Sequence, residues 1–429
     1  MPCTKTDADL TSDLNAHADP EVDAGADLEA DVVIAGGGLA GAATAIALRA
    51  RGLSVVVCDR AAFPREKACG EGLLPQGLEL LHALGIGDVV DDCGGQRFRG
   101  ILYHCHGVVA RGDFEGGQTG CGLRRRELDA AVRARASAQG VRLVQGNVSA
   151  VRVDDEGGTL TLSDGRSLRG RFVVGADGPR SRVRHELGLD GGAPVWGRYA
   201  LRRHYRLGPG VALPERVEVH IADGHELYVT PVADGVVGIA ALCEKRIMSG
   251  GDGKPDQRLS SLIQRCAPLA ERLEGSTPDD EALACGPLRV RTTGVWRGRA
   301  VLVGDAAGYV DAITGEGMSL ALKTAVLAAE AIDDVLAGAA LRATMQRYRA
   351  RRMDAFRDHA ILTFGLVGLA RHPFFARRAI ARLAREPALF TKLLAVNNGT
   401  KSLRSMGVRD FMKLALGSSP PALALPVNP

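Results

Sequence analysis

The stretch Asp31-Val-Val-Ile-Ala-Gly36-Gly-Gly38-Leu-Ala-Gly41 decides how this chain is read. Asp31 to Ala35 is a short run of mostly branched apolar residues, the composition of a buried strand. Glycines break the run, and an Ala-rich helical stretch follows to about Arg51. Leu53-Ser-Val-Val-Val-Cys58 is a second apolar run, closed by Asp59. Strand, turn, helix, strand is the opening of a parallel sheet. The spacing Gly36-x-Gly38-x-x-Gly41 by itself says little. Set between a strand and a helix, with an acid 18 residues beyond its last glycine, it becomes a dinucleotide-binding fingerprint. Gly36 permits the tight turn, Gly38 lets the backbone approach a pyrophosphate, and Gly41 lets helix and strand pack closely. The pyrophosphate charge meets the helix N-terminus at Leu39 and Ala40. Asp59, followed by Arg60, stands where ribose hydroxyls would lie. The competing reading is a glycine-rich turn in an unrelated α/β protein. At this point the cofactor is either FAD or a nicotinamide dinucleotide.

Working outward, residues 123–139 read as a charged helix, and 141–144 and 148–153 as strands. Ser163-Asp-Gly-Arg166 reads as a hairpin turn. Arg171-Phe-Val-Val-Gly175 and Ala300-Val-Leu-Val-Gly304 are further buried strands. Each runs into a small polar block, Gly175-Ala-Asp177-Gly178-Pro-Arg-Ser-Arg182 and Gly304-Asp305-Ala-Ala-Gly308, the placement expected at strand carboxyl ends. Residues 196–245 alternate polar and apolar and predict antiparallel sheet. Residues 342–416 predict helices broken at Pro373, Pro387 and Asn397-Asn398-Gly399.

Three motifs in this order resemble the para-hydroxybenzoate hydroxylase superfamily, the class A flavin monooxygenases: the fingerprint, a central Asp177-Gly178 and a later Gly304-Asp305. The resemblance covers about residues 31–340 and implies FAD. It implies that Asp305 bonds an FAD ribitol hydroxyl and that Asp177 and Gly178 lie near the pyrophosphate and a transient nicotinamide path. In Arg124-Arg-Arg-Glu-Leu-Asp129 it makes Arg125 the flavin-contacting arginine, with Arg124 and Arg126 solvated. Val148 joins the same cofactor-binding set. Gly315-Glu-Gly317-Met318 resembles the loop and helix start laid against the flavin ring, where a helix N-terminus stabilises negative charge. Two positions depart from that pattern: Ala312 stands for the usual Pro and Ser319 for a frequent Asn.

Lys67-Ala-Cys69-Gly70-Glu71-Gly72-Leu73 resembles the C-G-E-G-L segment of the geranylgeranyl-reductase-like branch. Cys69 is a redox candidate or a small packing residue. Glu71 and Glu316 are proton donors or backbone-capping acids. His104, His204, His220 and His225 fall in the substrate-facing region, and His104-x-His106 would share one face of a strand. None of these histidines is singled out as the base. The W-x-W-x-I-P signature of flavin-dependent halogenases is excluded, because the only tryptophans are Trp196 and Trp296. No second strand-linked G-x-G-x-x-G occurs, so NADPH or NADH is expected as a transient reductant.

The 429 residues suffice for two or three domains. The formal charge of +4 and 4% aromatic content argue against a nucleic-acid platform. Nine cysteines without a C-x-x-C pair leave no zinc or dithiol spacing, and with no leader-like N-terminus they predict a reducing cytoplasm and no metal. The expected fold is α/β. It has a Rossmann-type (GR2-like) FAD-binding domain in the pieces 30–95, 120–190 and 297–341. An inserted antiparallel β-sheet substrate domain takes 96–119 and 191–296, and a helical region takes 342–416. Tails are expected at 1–29, acidic and disordered, and at 417–429. The expected function is an FAD-dependent monooxygenase that uses NAD(P)H and O2 on a hydrophobic small molecule of specialised metabolism. The alternatives are a reductase of isoprenoid double bonds and a non-catalytic flavin-binding protein. Residues 364–396 mix Leu, Ile and Phe with five arginines. They read as a helical cap or as a surface for peripheral membrane contact.

Overall fold

The computed structural model describes residues 27–193, 197–249 and 253–418. The expected tails up to residue 26 and from 419, and Trp196, lie outside the described residues. The tail expected to residue 29 overruns the first strand. That strand is Leu28–Ala35, because Leu28, Glu29 and Ala30 pair with Leu168, Arg169 and Gly170 before the apolar run begins. At the other end, Gly417 and Ser418 are not loose: Ser418 N–H donates to the Arg378 carbonyl at 2.9 Å.

Leu28–Ala35 sits inside a sheet in the order Trp296–Arg297, Ala300–Leu302, Ser167–Gly175, Leu28–Ala35, Val55–Asp59, Arg142–Gln145. From Ala300–Leu302 onward the neighbours run parallel. Val32, Val33 and Ile34 are wholly buried, which is why the strand is a continuous apolar run and does not alternate. The hairpin Val148–Val153 and Gly158–Leu162 joins antiparallel at Ser167–Gly175. Helices Leu39–Arg49, Arg125–Ala138 and Gly317–Leu336 cover this sheet.

A second sheet runs Thr277–Pro278, Tyr199–Arg206, Val236–Cys243, His225–Ala233, Val217–Ala222, Gly100–Cys105, Val108–Asp113. It is antiparallel except where Val217–Ala222 meets Gly100–Cys105. One face, with Leu201, Val229 and Ile239, packs on helices Pro255–Gln264 and Ala267–Arg272. Toward its other end, Ile101, Val217 and Val219 pack on helices Pro373–Arg385 and Pro387–Asn397. Each of those two helices begins with its proline, where a missing N–H costs nothing. The three short strands Gly72–Leu73, Gln96–Phe98 and Gly120–Gly122 form a small sheet of their own that packs against His225–Ala233.

Candidate functional site

The fingerprint turn is built as its glycines require. A Cβ on Gly36 would overlap the Ala176 carbonyl, and one on Gly41 would overlap the Gly36 carbonyl. Gly38 differs: its Cβ direction meets only Arg65 Nη2 at 3.2 Å and Asp129 Oδ2 at 3.7 Å. Helix Leu39–Arg49 starts there with no side-chain cap and no acid in its first turn. Open space also faces Gly70, Gly178 and Gly315. A small-residue cradle, an uncapped helix N-terminus and Arg65 beside it are the donor set of a diphosphate seat. The buried Asp129 Oδ2 has no partner among the described residues, leaving an acceptor for a hydroxyl. These residues fit a dinucleotide cofactor such as FAD.

Several candidates do more structural work than the sequence suggests. Asp59 accepts from Gly37 N–H at 2.7 Å and Ala61 N–H at 2.9 Å, so its carboxylate first shapes the turn. Asp177 accepts from Ser181 Oγ at 2.5 Å and from the N–H groups of Arg182 and Val183, capping the helix Arg182–Glu186. Burial raises its pKa against those hydrogen bonds. Arg125 is buried with its guanidinium on Asp129 at 2.8 Å and near Cys69 Sγ at 3.5 Å. Asp305 is half-buried opposite Lys67 at 3.5 Å. Val148 is half-buried at the start of its strand, and Arg60 is exposed. Gly304 lies over Ala40, and Gly317 and the buried Met318 open the helix Gly317–Leu336, uncapped by any side chain.

Arg124 is not solvated. It pairs with Asp279, 155 residues further along, both side chains half-buried. Arg126 is half-buried too, reaching Glu127 at 2.9 Å and Glu66 at 3.5 Å.

Glu71 lies in the left-handed region (φ 60) between two glycines, a strained backbone held by its contacts. One carboxylate oxygen accepts from Arg125 N–H at 2.9 Å, capping that helix from outside. The other meets His204 Nε2 at 2.6 Å. His204 Nδ1 lies 2.7 Å from Asp280 Oδ2, and Arg202 reaches the same Asp280 oxygen at 2.5 Å and also Glu66. Burial lowers the His204 pKa, but the hydrogen bonds to Asp280 and Glu71 outweigh it and the net shift is upward. Burial raises Asp280, yet His204 and Arg202 bring it down to about 2. A carboxylate meets each ring nitrogen, which favours the protonated ring, while Arg202 Nη1, 2.9 Å from Nδ1, opposes it. Cys69 has no disulfide partner; its sulfur accepts from Glu71 N–H at 3.4 Å.

A second buried cluster lies below the loop that leads to Gly315. Arg198 bonds both Asp311 and Glu226, all three nearly sealed from solvent. Burial pushes Glu226 up to about 7, with Arg198 opposing. Tyr228 O–H donates to the Ile313 carbonyl at 3.3 Å, and burial raises Tyr228 well above the ordinary phenol range and Tyr103 to about 12. Glu316 occupies the N-cap position of helix Gly317–Leu336 without capping it. Its side chain turns to His359 at 2.5 Å, and burial raises its pKa against that contact.

The remaining histidines face elsewhere. The strand ends at Cys105, and His106 sits in a turn at φ 47, so it does not share a strand face with His104. His104 and His220 stack on each other at 4.3 Å with Glu218 beside them. With Glu218 they bring three potential metal-ligating atoms within 4.8 Å of one another, and Arg272 takes Glu218 at 2.9 Å. Two surface clefts, of about 300 and 470 Å³, are lined by Glu218 and Arg272 and by Arg203 and Tyr205. Neither touches the glycine cradle, so polar geometry and not cleft size places this site.

Sequence reasoning does not single out Arg65, Glu66, Arg198, Arg202, Glu226, Asp280 or Asp311. Apart from Arg65, which lies 3.9 Å from nearby Asp59, their partners lie far along the chain, and no local spacing announces such pairs.

A family model described as an FAD binding domain matches residues 29–360. The menaquinone reductase of Mycobacterium tuberculosis is 32% identical over 326 residues, 72% of this chain and 77% of that protein. The aurachin C monooxygenase/isomerase of Stigmatella aurantiaca is 27% identical over 343 residues, 76% of this chain and 86% of that protein. The crystal structure of a flavoprotein/dehydrogenase from Cytophaga hutchinsonii superposes with a TM-score of 0.76 at 20% identity, over 86% of this chain and 93% of that one, and shares the fold. The glycine cradle therefore belongs to an FAD-dependent oxidoreductase, and the chain is a member of the FAD binding domain family within the para-hydroxybenzoate hydroxylase-like superfamily.

Proposed function

We propose that the protein is a monooxygenase acting on a hydrophobic molecule that carries an ionisable ring hydroxyl. The overall balance is R–H + O2 + NAD(P)H + H⁺ → R–OH + H2O + NAD(P)⁺. The observation that carries this reading is the buried cluster under the loop to Gly315, in which Glu226 is paired with Arg198 beside Tyr103 and Tyr228, and burial raises the Glu226 carboxyl to about 7 against Arg198. A base poised near neutral pH suits removal of a phenolic proton, which activates a ring toward oxygen insertion. Bound FAD supplies the two-electron redox chemistry. The seat would be Gly36, Gly38, Leu39, Ala40 and Gly41 with Arg65 at the diphosphate, Asp59, Arg60 and Val148 toward the adenosine end, and Gly178, Gly304 and Asp305 along the ribitol. Arg125, Gly315, Gly317 and Met318 would border the ring. Glu226 takes the substrate proton, Arg198 holds the carboxylate in place, and the C-terminal helices exclude water. Free thiols suit a cytoplasmic setting.

A second reading rests on the 32% identity to a menaquinone reductase and on the Cys69-Gly-Glu-Gly-Leu73 block. In it, a carbon–carbon double bond is saturated. Its two carbons gain one hydride from NAD(P)H and one proton from water, and NAD(P)⁺ leaves as the oxidised product. The holoprotein should be given a long-chain alkylphenol with NADPH or NADH under ¹⁸O2, and menaquinone with the same reductants without oxygen. One labelled oxygen in the phenol product supports the monooxygenase. Anaerobic saturation of menaquinone with no labelled phenol overturns it in favour of the reductase.

A further inference from the structure

Among the described residues the large exposed apolar side chains are not scattered. Apart from Val109, every one lies between residues 353 and 416. The densest group is Phe374, Phe375, Val408, Phe411, Met412 and Leu416, with Val408 76% and Phe374 66% exposed. Helix Val408–Leu416 is the decisive element. Val408, Phe411, Met412, Ala415 and Leu416 recur at i, i+3, i+4, i+7 and i+8, the stripe that a surface helix normally turns to its core. Here that stripe faces outward. Its other side is pinned to the protein, by Lys413 to Glu386 and Asp410 to Lys392, each at 2.6 Å, and by Leu414, which packs on the core beneath. No residue of the helix is buried.

The neighbouring helix continues the surface. Arg378 donates to the Leu416 carbonyl at 2.9 Å, which locks Pro373–Arg385 beside Val408–Leu416, and Phe374 and Phe375 stand exposed at its start. Ile361, Phe364, Gly365 and Gly368 extend an exposed line along the end of helix Leu341–Ala370. The charge follows the same pattern. Residues 371–416 hold ten Lys and Arg against Glu386 and Asp410, a net +8 in a chain whose total is +4, so the rest of the protein is net acidic. Arg385, Arg404 and Arg409 have no carboxylate partner among the described residues.

We propose that this face docks on an anionic membrane surface, with the outward stripe entering the boundary between headgroups and acyl chains and the cations meeting lipid phosphate. An inverted amphipathic helix flanked by unpaired arginines is the arrangement a lipid interface stabilises and water does not. The same helices roof the site: Phe390 stacks on Tyr103 at 5.4 Å, and Asn397 donates to the Thr314 carbonyl at 3.0 Å beside the loop to Gly315. The docked face therefore delivers a lipid-phase substrate to the cluster of Glu226 and Tyr103. This deepens the proposed function and rests on it for the substrate class, but the docking itself does not.

The test is co-sedimentation of the FAD-loaded protein with vesicles of phosphatidylcholine alone or mixed with phosphatidylglycerol. Binding to the mixed vesicles only is expected, weakened by salt and reduced tenfold or more in F411S/M412S and in R385A/R404A/R409A. Val109→Ser, an exposed apolar change elsewhere, should bind like the parent. No binding to either vesicle, or binding that the variants leave intact, overturns the proposal. So does light scattering that shows a dimer which F411S/M412S dissociates, because a second copy then covers the face. Flavin reduction by NADPH or NADH, read by absorbance in the same samples, should be equal in all variants. A failure there counts against the proposed function and not against docking.

Discussion

Glu71 Oε2 and His204 Nε2 stand 2.6 Å apart with both side chains fully sealed from solvent, although 133 residues separate them in the chain. Removing one partner leaves the other charge buried. His204→Leu is expected to lower the stability of the holoprotein by about 3–5 kcal/mol. Urea unfolding followed by circular dichroism measures this. A loss below about 1 kcal/mol, the range of surface pairs, would show that the contact is solvated and not structural.

Glycines 38 and 41 predict opposite kinds of damage. Gly41→Ala puts a methyl group into the Gly36 carbonyl and should unfold the turn, seen as a lower melting temperature even without cofactor. Gly38→Ala meets only the flexible end of Arg65 at 3.2 Å, so the fold should persist. Its methyl group instead occupies the diphosphate seat, and FAD affinity should drop at least tenfold. Release of FAD fluorescence on dilution, beside a melting curve, separates the two cases; equal behaviour of both variants would misplace the cradle.

Glu226 ties stability and rate to pH in opposite directions. Its folded value is about 7 against 4.5 ordinarily, with burial as the main cause. The folded protein holds a proton that the unfolded chain releases between those values. The contribution of this group to stability is therefore greatest below pH 4.5, falls as pH rises to 7 and is flat above. The whole span is roughly 3 kcal/mol. Glu226→Gln should remove that slope in urea titrations. If Glu226 is the base, kcat/KM for an alkylphenol should rise through pH 7 in the parent and stay low and flat in the variant. A parent profile without that inflection would remove Glu226 from the chemistry.

Cys69 has Arg125 and the Glu71 N–H around its sulfur and no second thiol bonded to it. Cys69→Ser preserves an acceptor there. Flavin reduction by NADPH or NADH should stay within about threefold of the parent, a difference of under about 1 kcal/mol in barrier. A drop of a hundredfold would assign the sulfur a chemical role.

The first strand, the fingerprint and the Gly304-Asp305 block could be read in sequence because each is local. A turn of fixed geometry demands glycine at fixed offsets, and a strand buried on both faces shows as an unbroken apolar run. The strand start at Leu28 could not be read, since Glu29 is placed by ladder pairing and not by hydrophobicity. The Asp311–Arg198–Glu226 and Glu71–His204–Asp280 clusters could not be read either. Their charges look like ordinary surface residues until segments far apart in the sequence are brought together. The contacts of Asp177 with a helix start and of Glu316 with His359 could not be read either, because neither partner is announced by a local motif.

Arg198 fastens the loop carrying Asp311 to the strand carrying Glu226. The part of the molecule that selects a substrate and the part that holds the cofactor therefore do not behave as exchangeable modules. A chimera that borrows residues 197–285 from a relative must inherit the matching 309–316 loop as well. Without it the graft strands a carboxylate or a guanidinium in the interior. Substrate range in this scaffold is therefore expected to diversify through side chains around a fixed bolt, and hybrid enzymes built with that boundary moved are expected to fail in folding before they fail in catalysis.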